Sequence, residues 1–580
     1  MGKKPVPKPK PPAAKKPVSP VRGPGQYLVY GSMIVLFILS MVLFSPTTGN
    51  EFIETWDDGA YVIRNATIHD LSWQGIVKMF SYGDEFQKLV NNYHPVTTLS
   101  LAVNYNISGL SPRSYHVTNM IFHGLNAALV FLFIFLLSRR KLWPALISGL
   151  LFAVHPMHVE SVAWISERKD VLYVFFFLAG LIAYLKYLED QKLWKLGISL
   201  LLFLFSCLSK AMAVPFPVVL LLIDYLHRRK FSWKMLLEKI PFFIIALVIG
   251  WMSVNLQALS AIGKFETFTL YQRTMHGSYG FITYIVDFYY PSGLSAFYPY
   301  PAITTTGLLP LSFRVAPFVF MAVVALLAWT ATRKGEMPRV IVFGILFYFF
   351  TIALVLQFLS VGKAIMADRY TYIPYIGVAF ILGMLTDHYL QRKDQWKFGG
   401  YVLAAAVIVM SIAFAVKTFE RTKLWKNDIT LWSDVLQKYP DSRLNFIREK
   451  RARKLLDKEQ FDGAMADYQT MVVNDPRDII ALEAIGRLYG KHYNDLGKAV
   501  EYLERAYEVN PKNSAVLMGL GVAMGMKGDY QKSLEYLLQD YELNKTDTSL
   551  IKNISATYHN MGLHEKARQF ERQAIVNKSK

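Results

Sequence analysis

Two adjacent carboxylates, Asp57 and Asp58, follow the first apolar run of the chain within the sequence Trp56-Asp57-Asp58-Gly59. Near a bilayer surface, one carboxylate of such a pair can act as a general base while its neighbour binds substrate or a metal ion. An acidic pair in a loop can equally be solvated, or can cap a helix. Spacing alone therefore makes Asp57 and Asp58 candidates for catalysis without giving either of them a role.

A second polar cluster contains two histidines and a carboxylate. His155 and His158 are three residues apart, a spacing that places both on one face of a helix, and Glu160 follows them. These residue types can bind zinc, but the pattern lacks the second group of ligands that zinc sites normally have. The histidines can therefore belong either to a polar site or to the beginning of an interfacial helix.

The run Glu167-Arg168-Lys169-Asp170 adds four charges at the start of another apolar segment. Arg168 and Lys169 can bind phosphate, since a guanidinium forms a bidentate fork that matches phosphate oxygens. The alternative is a helix start at the membrane boundary, where basic side chains extend towards water while their stems stay in apolar surroundings.

Further polar residues lie at the ends of apolar runs. Lys210 lies in a short turn, Arg369 and Tyr370 lie in Asp368-Arg369-Tyr370-Thr371-Tyr372, and Tyr93 and His94 precede a proline. Polar residues at a membrane face cost free energy unless they are paired or functional. Taken singly, each has a structural explanation, because a lysine in a turn between two spans is common.

The elements that carry these residues are membrane spans. The chain of 580 residues is 53% hydrophobic and only 18% charged, whereas a soluble domain carries about 25% charged residues. Much of the net charge of +20 lies in a Pro-rich tail and in short loops such as Arg139-Arg140-Lys141. This is the positive-inside pattern of a polytopic membrane protein, and not the single basic face of a nucleic-acid-binding domain. The one cysteine, Cys207, excludes a disulfide scaffold.

The apolar runs predict about eleven crossings, with a disordered basic tail, residues 1–26, on the cytoplasmic side. The predicted spans are 27–44, 114–137, 142–156, 169–187, 195–209, 211–226, 237–257, 312–331, 339–360, 371–388 and 398–417. An apolar piece at 275–290 is interpreted as re-entrant or as part of a loop, with a helix pair as the alternative. One external face then collects the segments 46–113, 155–170, 258–311, 362–370 and everything after residue 417.

A repeat begins near residue 422. Ala464, Ala499, Ser533 and Ala567 recur at steps of 35, 34 and 34 residues. A period of 34 residues with small residues at the helix crossing resembles tetratricopeptide repeats. Such repeats stack into a solenoid that commonly binds a protein segment. The alternative is a spacer or an oligomerisation arm.

Together, these features resemble the TMTC-type membrane glycosyltransferases of the GT-C superfamily, over essentially the whole chain after the tail. The matching elements are the Asp57-Asp58 pair, His155-Pro156-Met157-His158-Val159-Glu160-Ser161-Val162 for HPxHxEAV, Arg168-x-Asp170 for GRAD, Ser209-Lys210 for SKE, and Asp368-Arg369-Tyr370-x-Tyr372-x-Pro374 for ERxLYLP. Two residues depart from the pattern. Ala211 replaces the acid of SKE, whose role is then absent or supplied elsewhere, and Glu167 replaces a glycine, which puts the local turn in doubt.

The resemblance implies an all-α protein with a GT-C-type catalytic membrane domain, residues 27–421, and an external tetratricopeptide solenoid, residues 422–580. It implies transfer of a sugar, mannose, from a polyprenyl-phosphate-linked donor to Ser or Thr hydroxyls of protein acceptors, with inversion at the anomeric carbon. The repeats would present the acceptor protein, and membrane lipid would surround the spans. The external face is then the periplasm or, in a eukaryote, the lumen of the endoplasmic reticulum.

The resemblance also implies roles for individual residues. Asp57 is the first candidate for the base, and Asp58 is its alternative. The residues implied for the donor phosphate and sugar are His155, His158, Glu160, Arg168, Asp170, Lys210, Arg369 and Tyr370, with His94 and Tyr93 as acceptor or supporting residues. No cofactor is required, although a divalent metal held by Asp57 and Asp58 is an alternative.

Two other functions compete with this interpretation. One is transfer of a sugar or a preassembled glycan to a cell-envelope polymer or to protein. The other is a non-enzymatic scaffold, in which the repeats do the binding and the spans serve as an anchor. Polar clusters on one face disfavour the scaffold, because a single span would suffice as an anchor. Transport is disfavoured because the charged candidates gather at one face and not at mid-membrane.

Overall fold

The computed structural model describes residues 25–258, 268–301, 308–359, 362–392, 394, 396–440 and 444–579. Almost all of the predicted tail, residues 1–24, lies outside them. The described part of the membrane domain has the following helices: α1 (Gln26–Phe44), α2 (Trp73–Phe80), α3 (Glu85–Val90), α4 (Pro95–Ser108), α5 (Pro112–Leu137), α6 (Leu142–Val154), α7 (Val159–Ala163), α8 (Arg168–Asp190), α9 (Leu193–Ser209), α10 (Phe216–Leu226), α11 (Trp233–Leu237), α12 (Ile240–Ala258), α13 (Leu270–Tyr289), α14 (Leu311–Ala331), α15 (Glu336–Ile352), α16 (Pro374–Leu390) and α17 (Lys397–Leu424).

The predicted all-α membrane architecture is confirmed, and the chain is a membrane protein. Seven described segments are long and apolar enough to cross a bilayer: 26–49, 112–137, 165–190, 233–257, 311–331, 336–355 and 397–424. An eighth candidate is α6 with residues 156–163, a pair of helices bent by 53°. The other three predicted spans are the shorter helices α9, α10 and α16. The predicted count of eleven therefore holds only if these short helices also cross.

The segment predicted at 275–290 is one helix and not a pair. It is α13, which is not among the seven long apolar segments because Arg273, His276 and Asp287 interrupt its apolar sequence. Helix α13 packs against α14 and contacts a short two-stranded sheet. The strands β1 (Tyr298–Pro299) and β2 (Ala364–Met366) are antiparallel, with Tyr298 opposite Met366. This sheet ties the loop before α14 to the turn that carries Arg369.

The predicted repeats are confirmed as four helix pairs among the described residues. After a single helix, α18 (Asp428–Lys438), the pairs are α19 (Asn445–Asp457) with α20 (Phe461–Asn474), α21 (Ile479–Lys491) with α22 (Leu496–Val509), α23 (Ser514–Met526) with α24 (Tyr530–Leu543), and α25 (Thr548–Asn560) with α26 (His564–Ser579). Ala464, Ala499, Ser533 and Ala567 are each the fourth residue of the second helix of a pair, and all four are buried. Small side chains there let the two helices approach closely.

The last membrane helix, α17, is followed directly by α18. Helix α17 continues to Leu424, beyond the predicted boundary between residues 421 and 422, and α18 begins at Asp428. Trp425, Leu431 and Trp432 belong to the same buried apolar cluster as the membrane helices. The first helix after the spans is therefore part of the core of the membrane domain.

Candidate active site

A cavity of about 620 Å³, which we call the charged cavity, opens among α12, the turn after α9 and the segment that follows α15. Charged and polar side chains line one half, among them Asp57, Lys169, Lys210 and Arg369. Apolar side chains line the other half, including Met212, Val214, Val254, Leu354 and Leu359. The cavity therefore suits a molecule with an anionic head and an apolar chain.

Three cations converge on one buried carboxylate in the polar half. The ammonium groups of Lys169 and Lys210 lie 3.3 and 3.0 Å from the carboxylate of Glu167, and Nε of Arg369 lies 3.5 Å from it. We call Lys169, Lys210 and Arg369 the cation triad. Glu167 is only 1% exposed, so its ion pairs are shielded from water and hold the three cations at a fixed spacing.

Each member of the cation triad also binds a second carboxylate. Lys169 lies 3.2 Å from Asp57, and Lys210 lies 2.6 Å from Asp170. Arg369 forms an ion pair with Glu160 and also donates its backbone N–H to Glu160 at 3.0 Å. Glu160 and Asp170 are buried. Because these two carboxylates bind cations of the triad and do not line the cavity, they position the triad.

Arg369 stays charged in this setting. Burial alone would lower the pKa of its guanidinium, but Glu160, Tyr370 and Glu167 raise the pKa above its usual value. The guanidinium also lies over the rings of Trp164 and Tyr370, at 5.5 and 5.0 Å from their centroids. Tyr370 lines the cavity beside it.

The structure separates the two adjacent aspartates. The side chain of Asp57 is 37% exposed, lines the charged cavity and pairs with Lys169. Asp58 is 1% exposed and accepts hydrogen bonds from the backbone N–H of Ile53 at 2.8 Å and from the N–H and hydroxyl of Ser166 at 2.8 and 2.5 Å. Burial raises the pKa of the Asp58 carboxyl to about 7, although these hydrogen bonds lower it. Asp57 can therefore reach a substrate, whereas Asp58 fixes the loop.

The local sequence explains this separation. Residues 59–63 form one turn of π-helix directly after Asp58. A side chain at Gly59 would collide with the backbone carbonyl of Glu54, so only glycine allows the loop to close this tightly. The ring of Trp56 packs on Trp164 at 4.1 Å and on Trp432 at 5.0 Å. In the chain, Asp57 thus lies between Trp56, whose ring is packed on other tryptophans, and Asp58, whose buried carboxylate is hydrogen-bonded.

His94 lines the charged cavity, but Tyr93 does not. Burial lowers the pKa of His94 well below its usual value, and the nearby Lys169 and Lys210 lower it further. Its Nδ1 has no hydrogen-bond partner among the described residues. A neutral imidazole with a free nitrogen can bind a sugar hydroxyl. The hydroxyl of Tyr93 instead donates to the carbonyl of Phe80 at 2.8 Å, which indicates a structural role.

Besides Glu160 and Asp170, three residues predicted for the donor site lie outside the charged cavity: His155, His158 and Arg168. His155 and His158 are buried, and their rings contact the backbone carbonyls of Phe288 and Phe152 at 3.2 and 2.9 Å. Arg168 is fully buried, and its guanidinium donates to neutral acceptors: the side chains of Asn119, Ser100 and Asn104, and the carbonyl of Tyr115. Their positions favour packing roles, since none of them faces the cavity.

The residues present do not form an evident metal cage. Within the described ranges, no group of three or more His, Cys, Asp or Glu side chains is arranged to hold a metal ion. Both carboxylate oxygens of Asp58 accept hydrogen bonds from Ile53 and Ser166. The metal site considered for Asp57 and Asp58 would therefore require Asp58 to change partners.

Sequence reasoning missed the central residue of the site. In the sequence, Glu167 is one of four consecutive charges and a departure from the family motif, and Lys169 is a phosphate candidate alongside Arg168. The signal that distinguishes them is the helix that begins at Arg168. Consecutive residues at a helix start point in different directions, so Lys169 can face the cavity while Arg168 faces the core.

Curated relatives confirm the similarity to TMTC-type proteins. A protein O-mannosyl-transferase of Caenorhabditis elegans is 24% identical over 465 residues, which are 77% of this chain and 63% of the relative. The human protein O-mannosyl-transferase TMTC2 is 32% identical over 165 residues, which are 27% of this chain and 19% of the relative. The matches thus span less than two thirds of the length of these relatives.

The similar solved structures include tetratricopeptide-repeat proteins that each cover less than a third of this chain. The crystal structure titled YrrB, a TPR protein with an unusual peptide-binding site, covers 29% of this chain and 82% of its own, with 18% identity and a TM-score of 0.24. No protein-family profile matches the chain.

Proposed function

We propose that this protein is a membrane glycosyltransferase that moves mannose from a polyprenyl-phosphate-linked donor to a Ser or Thr hydroxyl of a protein. The observation that carries the proposal is the charged cavity, which combines the cation triad and Asp57 with an apolar half. The names of the relatives support mannose as the sugar and protein as the acceptor.

The donor would bind with its phosphate at the cation triad and its prenyl chain in the apolar half. Val254 is 55% exposed, Leu354 46% and Leu359 58%, so the apolar half opens at the side of the helix bundle. A prenyl chain could enter there from the bilayer. On α12, the residues Gly250, Ser253, Val254 and Gln257 form one stripe along this half, as their helical spacing requires.

The proposed reaction is a single displacement. The acceptor hydroxyl oxygen attacks the anomeric carbon, and the bond from that carbon to the phosphate oxygen breaks. Asp57 accepts the hydroxyl proton, and the phosphate leaves with the electron pair. The cation triad stabilises the charge that develops on the leaving phosphate, and fixed cations in a site shielded from water do this effectively. Attack opposite the leaving group inverts the anomeric centre.

The proposed topology places this chemistry on the external face. The amino terminus would be cytoplasmic, since basic residues favour that side. The loop with Asp57, the segment with Glu167 and the turn with Arg369 meet at the end of the bundle that carries the repeats. The site and the repeats would therefore share the periplasm or the lumen.

A bulky side chain placed in the apolar half of the charged cavity tests the proposed prenyl site. A Cβ added at Gly250 would meet no atom within 4 Å, and Gly250 lines the cavity, so Gly250→Phe should place its ring in the space proposed for the prenyl chain. The matched control is Gly197→Phe, on α9, where a side chain also meets no atom within 4 Å and which does not line the cavity. Both variants replace a helical glycine, so their effects on helix propensity match.

The assay supplies purified full-length protein in lipid nanodiscs with polyprenyl-phosphomannose and a protein acceptor. Gly250→Phe should raise the KM for the donor, whereas Gly197→Phe should behave like the wild type. Mass spectrometry of lipids that co-purify with each protein should show the loss of polyprenyl-phospho-sugar only in Gly250→Phe. Equal donor affinity in both variants would contradict the proposed prenyl site. Absence of transfer by the wild type would contradict the proposed function.

A further inference from the structure

A second cavity, of about 300 Å³, lies where the membrane domain meets the first repeat. We call it the junction cleft. One wall is Phe297 together with residues 362–364, 366 and 367, in and beside strand β2, and the other is formed by Trp432, Phe446 and Lys450 of α18 and α19. Its volume is at the lower end of the range for ligand pockets, about 300–1,000 Å³.

The junction cleft and the charged cavity share part of their lining. Trp56, Arg369 and Tyr370 line both of them. Trp56 directly precedes Asp57 in the chain, and Arg369 belongs to the cation triad. A chain lying in the junction cleft would therefore present its side chains to the polar half of the charged cavity, where Asp57 and the donor phosphate are proposed to meet.

The junction cleft is aromatic and cationic. Its aromatic residues pack on each other, with Phe297 against Phe446 at 5.2 Å and Trp56 against Trp432 at 5.0 Å. Lys363 is exposed, and its ammonium lies over the ring of Phe446, 5.2 Å from the centroid. It has no carboxylate partner among the described residues. Among the described lining residues there are three cations and no carboxylate.

We infer that the junction cleft binds an extended segment of the acceptor polypeptide, with an acidic side chain next to Lys363 and the reacting hydroxyl directed towards Asp57. The inference rests on the proposed function for its acceptor. An acidic segment complements the charge of the cleft, and complementary charge gives specificity between partners. The flat aromatic rings can contact an extended backbone without demanding a particular sequence.

Charge exchange at Lys363 tests this inference. The probes are two short synthetic peptides, each with one threonine, flanked by glutamates in one and by lysines in the other. The wild type should use the acidic peptide with the lower KM. Lys363→Glu should raise the KM for the acidic peptide about fivefold and lower that for the basic one, the scale expected for an exposed charge pair. Lys363→Arg should retain the preference of the wild type, and Lys527→Glu, an exposed lysine in the turn after α23, is the matched control.

A binding readout that does not depend on sugar transfer separates this inference from the proposed function. Cys207, the only cysteine, is buried, so a cysteine placed in the cleft reacts alone. An acidic peptide with a thiol-reactive group should label Ala364→Cys, which lines the cleft and keeps Lys363, but not Lys527→Cys, and the unmodified peptide should block the labelling.

Each outcome decides one of the two proposals. Labelling of Ala364→Cys, with no sugar transfer by the wild type, would support the junction cleft and overturn the proposed function. If sugar is transferred with the same KM for both peptides, in the wild type and in Lys363→Glu, the inference about the junction cleft is overturned and the proposed function stands. Labelling of Ala364→Cys no faster than of Lys527→Cys would also overturn the inference about the junction cleft.

Discussion

Asp57→Asn should abolish sugar transfer and leave the protein folded. The amide cannot accept the acceptor's proton, and a positioned general base contributes about 10²–10⁴-fold to the rate. The loss to folding is small, because the side chain of Asp57 is 37% exposed and makes one ion pair, to Lys169 at 3.2 Å. Such a pair contributes at most about 1 kcal/mol, and Lys169 keeps its contact with Glu167 at 3.3 Å. The rate is measured as mannose transferred in nanodiscs.

Asp58→Asn should show the opposite pattern. Both oxygens of Asp58 accept hydrogen bonds, from Ile53 and from Ser166. An amide offers only one acceptor and turns an N–H group towards one of these donors. A buried donor without its partner costs about 1–3 kcal/mol, so the melting temperature should fall. Transfer by the protein that remains folded should be reduced much less than in Asp57→Asn.

The comparison needs three measurements on each variant: transfer rate, donor affinity and thermal unfolding. Glu85→Gln, which removes an exposed carboxylate in α3 away from the charged cavity, is the control for charge loss in the same loop. Donor affinity should survive in Asp57→Asn, because the cation triad is intact. If Asp57→Asn transfers mannose at more than about a tenth of the rate of the wild type, the assignment of the base is wrong. If the double variant is also active, neither aspartate is the base.

Three further predictions follow from the topology, from Asp58 and from the junction. A cysteine at exposed Lys552, in α25, should react with an impermeant reagent in intact cells; reaction only after permeabilisation would contradict the external position of the repeats. Burial raises the pKa of Asp58 from 3.8 to about 7 in the folded protein, so the folded state binds more protons between these values and its stability falls as the pH rises. The melting temperature of the wild type should fall as the pH rises between these two values, and that of Asp58→Asn should change less. If the two melting temperatures change equally with pH, Asp58 is not the group responsible. A chain ending at residue 475 should keep donor binding and the melting temperature of the full chain, whereas a chain ending at residue 423 should lose both. If the chain ending at residue 423 keeps both, α18 is not needed for folding or for donor binding.

The repeats were the most predictable part of the molecule. Each repeat contacts only its neighbours, so a period of about 34 residues contains nearly all the information needed for the fold. The four small residues found at this period are the fourth residue of the second helix in each pair. The membrane spans were predictable as apolar runs, but some of their ends were not. The span predicted at 339–360 is helix α15, which ends at Ile352, because the apolar sequence continues beyond the end of the helix.

The candidate site was predictable only in part. The sequence indicated that Asp57, Lys210 and Arg369 share one face, and the structure brings all three to the charged cavity. It could not distinguish Asp57 from Asp58, because two consecutive side chains in an irregular loop can face opposite sides. The sequence also could not show that His155 and His158 lie outside the charged cavity, since two histidines three residues apart can belong to a packed core or to a binding site. Those distinctions depend on tertiary contacts that no local pattern contains.

Contacts at the junction connect the membrane domain to α18 and the repeats. The backbone N–H groups of Glu54 and Thr55 donate to the carboxylate of Asp428 at 3.0 Å, so the first helix after the spans holds the loop that carries Asp57. The same helix supplies Trp432, which packs on Trp56 and lines the junction cleft. An acceptor bound in the proposed junction cleft would therefore meet a wall that also positions Asp57, the proposed base. Acceptor binding and the placement of Asp57 would then depend on the same helix, α18.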